Sequence, residues 1–249
     1  NNHCVVMCSK KGIIKKTTLA AYSRPRVNGV NAITIKEGDQ LLEARLTTGE
    51  SNILIAGTHG RCIHFPEAKV RPMGRTAAGV KGIRMPEGAE VVGMICVEDV
   101  ETESVMVVSE NGYGKRSSVE DYRITNRGGK GVKTMNVTEK TGSLIAIKSV
   151  VDENDLMIIN KSGIAIRMDV ASIRVMGRAT QGVKLINLKG KDTIAAIAKV
   201  EISSDDSDLD EYDEEGNLIP RVEGEESTDA PETNSEDESE ADEPTKDQE

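Results

Sequence analysis

The sequence has no tryptophan and one phenylalanine, Phe65, and its four tyrosines are Tyr22, Tyr113, Tyr122 and Tyr212. A core built from such a chain has to be aliphatic, and a surface that grips single strands by stacking bases on rings is disfavoured. Cysteine is scarce. Cys4, Cys8, Cys62 and Cys96 lack the close paired spacing of a metal site, and they fit small buried hydrophobes of a reducing compartment. His3, His59 and His64 are not spaced with them as ligands, so no metal is expected. No apolar run is long enough to span a bilayer and no signal peptide is recognisable, so no membrane partner is expected. Helical periodicity fails beyond windows of about ten residues; only AAYSRPRVNG and DVASIRVMG suggest a helical turn. No Ser/His/Asp pattern recurs, and the basic part of the chain shows no paired-carboxylate catalytic site. Arg127-Gly128-Gly129-Lys130-Gly131 lacks the spacer and the hydroxyl residue of a nucleotide-binding P-loop. The segment is therefore expected to be non-catalytic, with no cofactor of its own.

Charge is split unevenly. Of the 42 acidic residues, 22 fall in 201–249, against 2 of the 32 basic ones, so the segment up to residue 200 carries a net +10 and the remainder −20. A basic body joined to an acidic tail points to a polyanionic partner, nucleic acid first. The tail, 203–249, has few apolar residues and high like charge, which predicts disorder and competition with phosphates for the basic body. The chain begins with Asn rather than Met, inside a repeat, and is expected to be a fragment of a longer protein.

The body repeats. A strand, a turn glycine and a second strand recur around Gly12, Gly60, Gly112 and Gly163, at steps of 48, 52 and 51 residues. A Gly-Val pair keeps the same beat at Gly29, Gly79, Gly131 and Gly182. Each copy reads as four short Val/Ile-rich strands. In the second copy these are NILIAGT, RCIHFP, VKGIRM and EVVGMICV, bounded by hairpin residues. A period of this length built from short strands predicts an all-β, propeller-like array of four-stranded blades. The repeats run over about 3–50, 51–103, 104–154 and 155–202, giving a domain 1–202 and a tail 203–249.

The copies share a basic loop between their second and third strands. It carries Arg24 and Arg26 in the first, and Lys69, Arg71, Arg75 and Lys81 in the second. The third supplies Arg123, Arg127, Lys130 and Lys133, and the fourth Arg174, Arg178 and Lys184. An arginine stands four before the Gly-Val glycine at Arg75, Arg127 and Arg178. The start of the second strand adds Lys15 and Lys16, Arg61 and His64, Lys115 and Arg116, and Arg167. Equivalent loops of successive blades emerge at one rim, where cations make phosphate contacts and release counterions from duplex DNA. Binding by backbone and deformability suits a double strand. A protein-interaction propeller whose basic rim takes an acidic partner is the alternative from another class.

The phrases VRPMGRTAAGVKGIRM, NGYGKRSSVEDY and SIRVMGRATQGVKLI, together with the acidic C-terminus, resemble the C-terminal domain family of the bacterial DNA gyrase A subunit over residues 3–200. The related domain of the topoisomerase IV A subunit is the alternative within this class. The resemblance implies a six-bladed β-pinwheel whose blades exchange strands, of which this chain holds the last four. It implies DNA wrapped on the rim in support of ATP-dependent negative supercoiling in the cytoplasm, in association with the chromosome. It also implies a partner B subunit carrying ATP and Mg, a second A subunit, and Mg at a cleavage site, all reached through upstream regions. The family's wrapping motif, Gln-Arg-Arg-Gly-Gly-(Lys/Arg)-Gly, is matched by Thr125–Gly131 in its last five positions only. That loop is expected to be the motif's equivalent in a later blade, with the motif itself upstream.

Overall fold

The computed structural model describes residues 3–190 and 192–201. The acidic tail, with its expected disorder, lies outside the described residues. The first repeat forms β1 (Cys4–Ser9), β2 (Ile13–Thr18) and β3 (Leu41–Thr47). The second forms β4 (Asn52–Gly57), β5 (Arg61–Pro66), β6 (Val80–Lys81) and β7 (Val91–Val97). The third adds β8 (Ser104–Ser109), β9 (Tyr113–Ser118), β10 (Val132–Lys133) and β11 (Leu144–Val150). The fourth adds β12 (Asn154–Asn160), β13 (Ala165–Asp169), β14 (Val183–Lys184) and β15 (Ile194–Glu201). Single 3-10 turns at Leu19–Tyr22, Glu67–Lys69 and Val119–Asp121 follow the second strand of three repeats. At DVASIRVMG a hydrogen-bonded turn from Ile173 N to Val170 O stands in place of a helical one.

The fold is all-β, and its sheets are not the sequence repeats. Their orders are β3-β1-β2-β6, β10-β5-β4-β7 and β11-β8-β9-β14, with a three-stranded β13-β12-β15. The two-residue Val-Lys strand of each later repeat therefore completes the sheet of the repeat before it. Val80 pairs with Ile14, Val132 with Cys62 and Val183 with Gly114. Four strands per repeat, as the sequence suggests, becomes three of its own plus one lent by the next. Accordingly, Gly29-Val30 of the first repeat forms no strand among the described residues, and the fourth sheet shows only three.

The exchange accounts for the core. Strands β3, β7, β11 and β15 form one edge of their sheets and pack on one another, leaving the lent strands at the far edge. A middle strand such as β4 is buried on both faces. Ile53 and Ile55 meet Val6, Cys8, Ile14 and Phe65, whereas Leu54 and Ala56 meet Val105, Val107 and Tyr122. Met106 and Val108 of β8 likewise pack on Leu156 and Ile158 of the fourth repeat. Each such aliphatic side chain contributes about 1.5–3 kcal/mol when taken out of water. A strand covered on both sides has no polar face, which is why these runs lack the alternation of a half-exposed sheet. Cys8 and Cys62 belong to this core, and burial pushes both thiols up.

Two glycines per repeat make the geometry possible. Gly112 closes the β8–β9 turn at φ +84°, its N–H bonded to Ser109 O at 3.1 Å. Gly131, at φ +69°, brings its Cα so close to β5 that an added Cβ would collide with the Cys62 carbonyl oxygen. Gly112→Val would place a β-branched residue at positive φ with its Cβ 2.8 Å from Ile186 O. We expect it to destabilise the chain by more than about 1 kcal/mol. Thermal denaturation measures this, and an unchanged melting curve would refute the turn's role.

Candidate nucleic-acid interface

Arg61 apart, the eighteen lysines and arginines collected from the basic loops and second strands fall into three sets. Lys15, Lys16, Lys115 and Arg116 are buried, so they cannot line a rim. Their strands lie beneath the loop of the following repeat, and the polar position four after the turn glycine becomes a tie to that loop. The Lys16 ammonium lies 3.3 Å from Glu67 Oε1, and that carboxylate also accepts from Thr47 Oγ1 at 2.9 Å and from Ser51 N at 3.2 Å. Arg116 Nε donates to Ile173 O at 2.6 Å, and its guanidinium pairs with Asp152. In the second repeat His64 takes the same place, its ring nitrogens 2.7 Å from Tyr122 O and 3.0 Å from Asn52 Oδ1. Burying a charge is costly unless hydrogen bonds or a counter-charge surround it.

The second set is the arginine in register. Arg127 donates from Nε to Lys69 O at 3.1 Å and from Nη1 to Lys81 O at 3.2 Å. Arg178 makes the equivalent pair to Asp121 O and Lys133 O, both at 2.9 Å. Each therefore clamps its own loop onto two carbonyls of the preceding repeat. A guanidinium has five N–H donors, and the clamp uses two, so the group also reaches the surface. Arg75, half-buried, occupies the same position in the second repeat.

The third set is exposed: Arg24, Arg26, Lys69, Arg71, Lys81, Arg123, Lys130, Lys133, Arg167, Arg174 and Lys184. Arg167 pairs with Asp155 on the neighbouring strand. Lys81, Lys133 and Lys184 are the outer residues of the lent strands, and Arg71, Arg123 and Arg174 are equivalent positions in the three preceding crossovers. Backbone bonds link each loop to the next: Thr34 N to Ala77 O at 3.4 Å, Arg84 N to Gly129 O at 2.8 Å with Gly128 N to Gly82 O at 2.5 Å, and Asn136 N to Thr180 O at 3.1 Å. The loops thus form a continuous run along one edge of the array. Arg61 braces that run, donating to Lys130 O at 3.2 Å and Gly131 O at 2.7 Å. It lines a hollow of about 420 Å³ with His59, Arg84 and Lys130. Arg84 escaped the sequence reading because asparagine stands at its place in the third and fourth repeats. Among the described residues no group of three His, Cys, Asp or Glu could hold a metal ion.

A family model described as the DNA gyrase C-terminal domain, beta-propeller, matches residues 5–48, 51–98, 103–150 and 154–201. The DNA gyrase A subunit of Staphylococcus aureus strain MRSA252 is 47% identical over 207 residues, which is 83% of this chain and 23% of that protein. Its counterpart from strain NCTC 8325 / PS 47 is 47% identical over 202 residues. The chain thus spans less than a quarter of the length of these relatives. Among solved structures, the C-terminal domain of DNA topoisomerase IV superposes with a TM-score of 0.76 at 23% identity, covering 81% of this chain and 62% of that one. A DNA gyrase A C-terminal domain superposes at 0.71 and 22% identity, covering 80% and 66%. At such identities the structural likeness speaks for the fold. The chain belongs to the DNA gyrase C-terminal domain family.

The His64 tie is sensitive to acid. Burial pulls the imidazole below its ordinary 6.5, against the opposing hydrogen bond to Tyr122. The unfolded chain then binds the proton more readily, so the stability His64 contributes is present above 6.5 and lost as pH falls below it. We expect the melting temperature to drop as the pH falls below 6.5, and His64→Asn to drop less over the same range. Equal slopes for the two chains would exclude His64 as a contributor.

Proposed function

We propose that this chain, as a member of the DNA gyrase C-terminal domain family, is the duplex-binding and DNA-wrapping part of a gyrase A subunit. The observation that carries the reading is the run of hydrogen-bonded rim loops, each presenting exposed cations in register: Arg71, Lys81, Arg123, Lys133, Arg174 and Lys184. Cations in a row along an edge neutralise successive phosphates, and the released counterions drive binding regardless of sequence. Among the described residues no base-reading helix lies along this edge, so the preference among sequences falls to duplex deformability. A curved duplex held on such an edge is under topological constraint, and the whole enzyme would use that constraint for ATP-dependent negative supercoiling. The partner B subunit, a cytoplasmic, chromosome-associated setting and the second A subunit belong to this proposal. Among the described residues no helix is long and apolar enough to cross a membrane. Sequence likeness at 47% to gyrase A subunits favours gyrase over topoisomerase IV.

Exposed cations without carbonyl clamps give the cleanest test. Arg123→Ala, Lys130→Ala and Lys184→Ala are each expected to weaken binding alike for all duplex sequences. Each should reduce the steepness of log K against log salt by about one per lost contact. The native chain is expected to change the linking number of relaxed circles closed in its presence. Altered sequence preference with an unchanged slope would refute the phosphate track. Arg127→Ala and Arg178→Ala lose a clamp as well, so they are expected to lower the melting temperature along with the affinity.

A further inference from the structure

Two of the buried cations do something the ties do not. The residue three after the turn glycine is Lys15, Ile63, Lys115 and Ile166 in the four repeats. The second repeat shows that this place in the sheet accepts isoleucine, buried like its neighbours, so the sheet itself does not call for a charge. The choice follows the loop that lies above. Lys15 faces Met73-Gly74-Arg75-Thr76 of the second repeat, and Lys115 faces Met176-Gly177-Arg178-Ala179 of the fourth. Ile63 faces the glycine-rich loop of the third repeat, where a Cβ on Gly129 would sit 3.5 Å from its Cδ1.

The Lys115 ammonium donates to Gly177 O at 2.8 Å, to Arg178 O at 2.5 Å and to Thr180 Oγ1 at 3.1 Å, which uses all three of its N–H groups. Lys15 donates to Arg75 O and to Ala32 O, which ties one turn to the loop of the preceding repeat. A trans peptide holds its C=O and N–H on opposite sides. With the Gly177 and Arg178 carbonyls turned down onto the ammonium, the Arg178 and Ala179 N–H groups point away from it. With the Arg75 carbonyl turned down, the Thr76 N–H does the same. The turns are closed by Ala77 N on Gly74 O at 3.1 Å and Thr180 N on Gly177 O at 3.2 Å. Gly74, Thr76, Gly177 and Ala179 are exposed. Outward N–H groups beside an arginine make a concavity for an anion.

We propose that Lys15 and Lys115 are positioning residues that turn the 74–77 and 177–180 loops into seats for backbone phosphates of a duplex. This rests on the duplex-binding reading above and specifies which rim loops hold phosphate through their backbone. The lysines touch no phosphate themselves. They fix the peptide planes, and the glycine-rich third loop reaches its own shape without such a brace.

Charge state gives the brace a signature. Burial brings Lys115 down to about 8 from 10.5, with Asp121 pulling it up and Arg178 pushing it further down. Above that pH the neutral amine keeps two N–H groups for three acceptors, and the brace loosens. The folded chain releases this proton earlier than the unfolded one, so its contribution to stability rises between about 8 and 10.5. Affinity for duplex is thus expected to fall while this contribution to stability grows, and a purely structural role would move the two together.

The experiment uses the full chain and a mixed-sequence duplex, with affinity measured across a salt series and a pH series. Lys115→Ile, the residue that the second repeat uses, is expected to bind about tenfold more weakly, the worth of one charge-assisted hydrogen bond. Its salt slope should match the native one, whereas Lys184→Ala should lower the slope. Native affinity should fall through about pH 8, and Lys115→Ile should show no such fall. Thr180→Val, which removes one acceptor at an exposed residue, should give a smaller loss with the native slope, and covers the case of a Lys115 variant that does not fold. Native affinity in a folded Lys115→Ile, or in Thr180→Val, would overturn the proposal, as would a slope lowered by one in Lys115→Ile. A native chain that binds no duplex at all would overturn the duplex-binding reading and this one together.

Discussion

The whole array depends on a two-residue strand. Val-Lys from one repeat completes the sheet of the repeat before it, and the glycine ahead of it must enter with positive φ against the receiving strand. A sheet edge left open is an aggregation site. In the first three sheets that edge is taken by the strand the next repeat lends, so sheet closure and blade stacking become one event. The backbone bonds from Met73 N to Lys16 O, Thr125 N to His64 O and Met176 N to Arg116 O, all within 2.8–2.9 Å, repeat the same crossing at each junction. Stability in such an array is a sum of repeat and junction terms, and the junction terms here consist of lent strands, buried ties and arginine clamps.

Cations serve both sides of that arrangement. On the inside, Lys16 and Arg116 hold loops by ion pairs and carbonyls, Lys15 caps carbonyls, and Lys115 caps two carbonyls and the Thr180 hydroxyl. On the outside, Lys81, Lys133 and Lys184 ride on the lent strands themselves. The element that closes each sheet thus also carries a cation to the rim, which locks the spacing of the surface charges to the spacing of the blades. Arg127 and Arg178 stand between the two groups, clamping two carbonyls while their guanidinium groups remain accessible.

Much of this was legible in the sequence. The period, the turn glycines and the register of the basic loops follow from local chemistry, since positive φ restricts a position to glycine and short Val/Ile runs mark strands. The exchange came only with the family resemblance and not from the local pattern, because a Val-Lys pair reads the same whether it joins its own sheet or its neighbour's. The fate of each cation was hidden for a related reason. Lys15 and Lys81 are both lysines on strands, and only the covering loop buries one and leaves the other exposed. A signal was nevertheless available in register. Ile63 and His64 stand where Lys15-Lys16 and Lys115-Arg116 stand, and an isoleucine at a strand position equivalent to two lysines places that position inside. Arg84 gave no such signal, since its position does not repeat.

Net charge alone would therefore overstate the grip of this surface. The +10 of residues 1–200 counts Lys15 and Lys115 equally with Lys133. Buried cations add to the long-range field that draws a polyanion in, but they release no counterion from a phosphate they never meet. Salt dependence counts contacts, whereas steering senses the field. Removing the four buried residues from the eighteen candidates leaves fourteen that can count toward the slope. In an array with one lent strand per junction, that number grows with the number of blades and not with the total of lysine and arginine. The brace beneath the 74–77 and 177–180 turns affects affinity by another route. It organises neutral N–H groups whose bonds to phosphate leave the salt slope untouched, so the rim combines a salt-sensitive hold with one that salt does not screen.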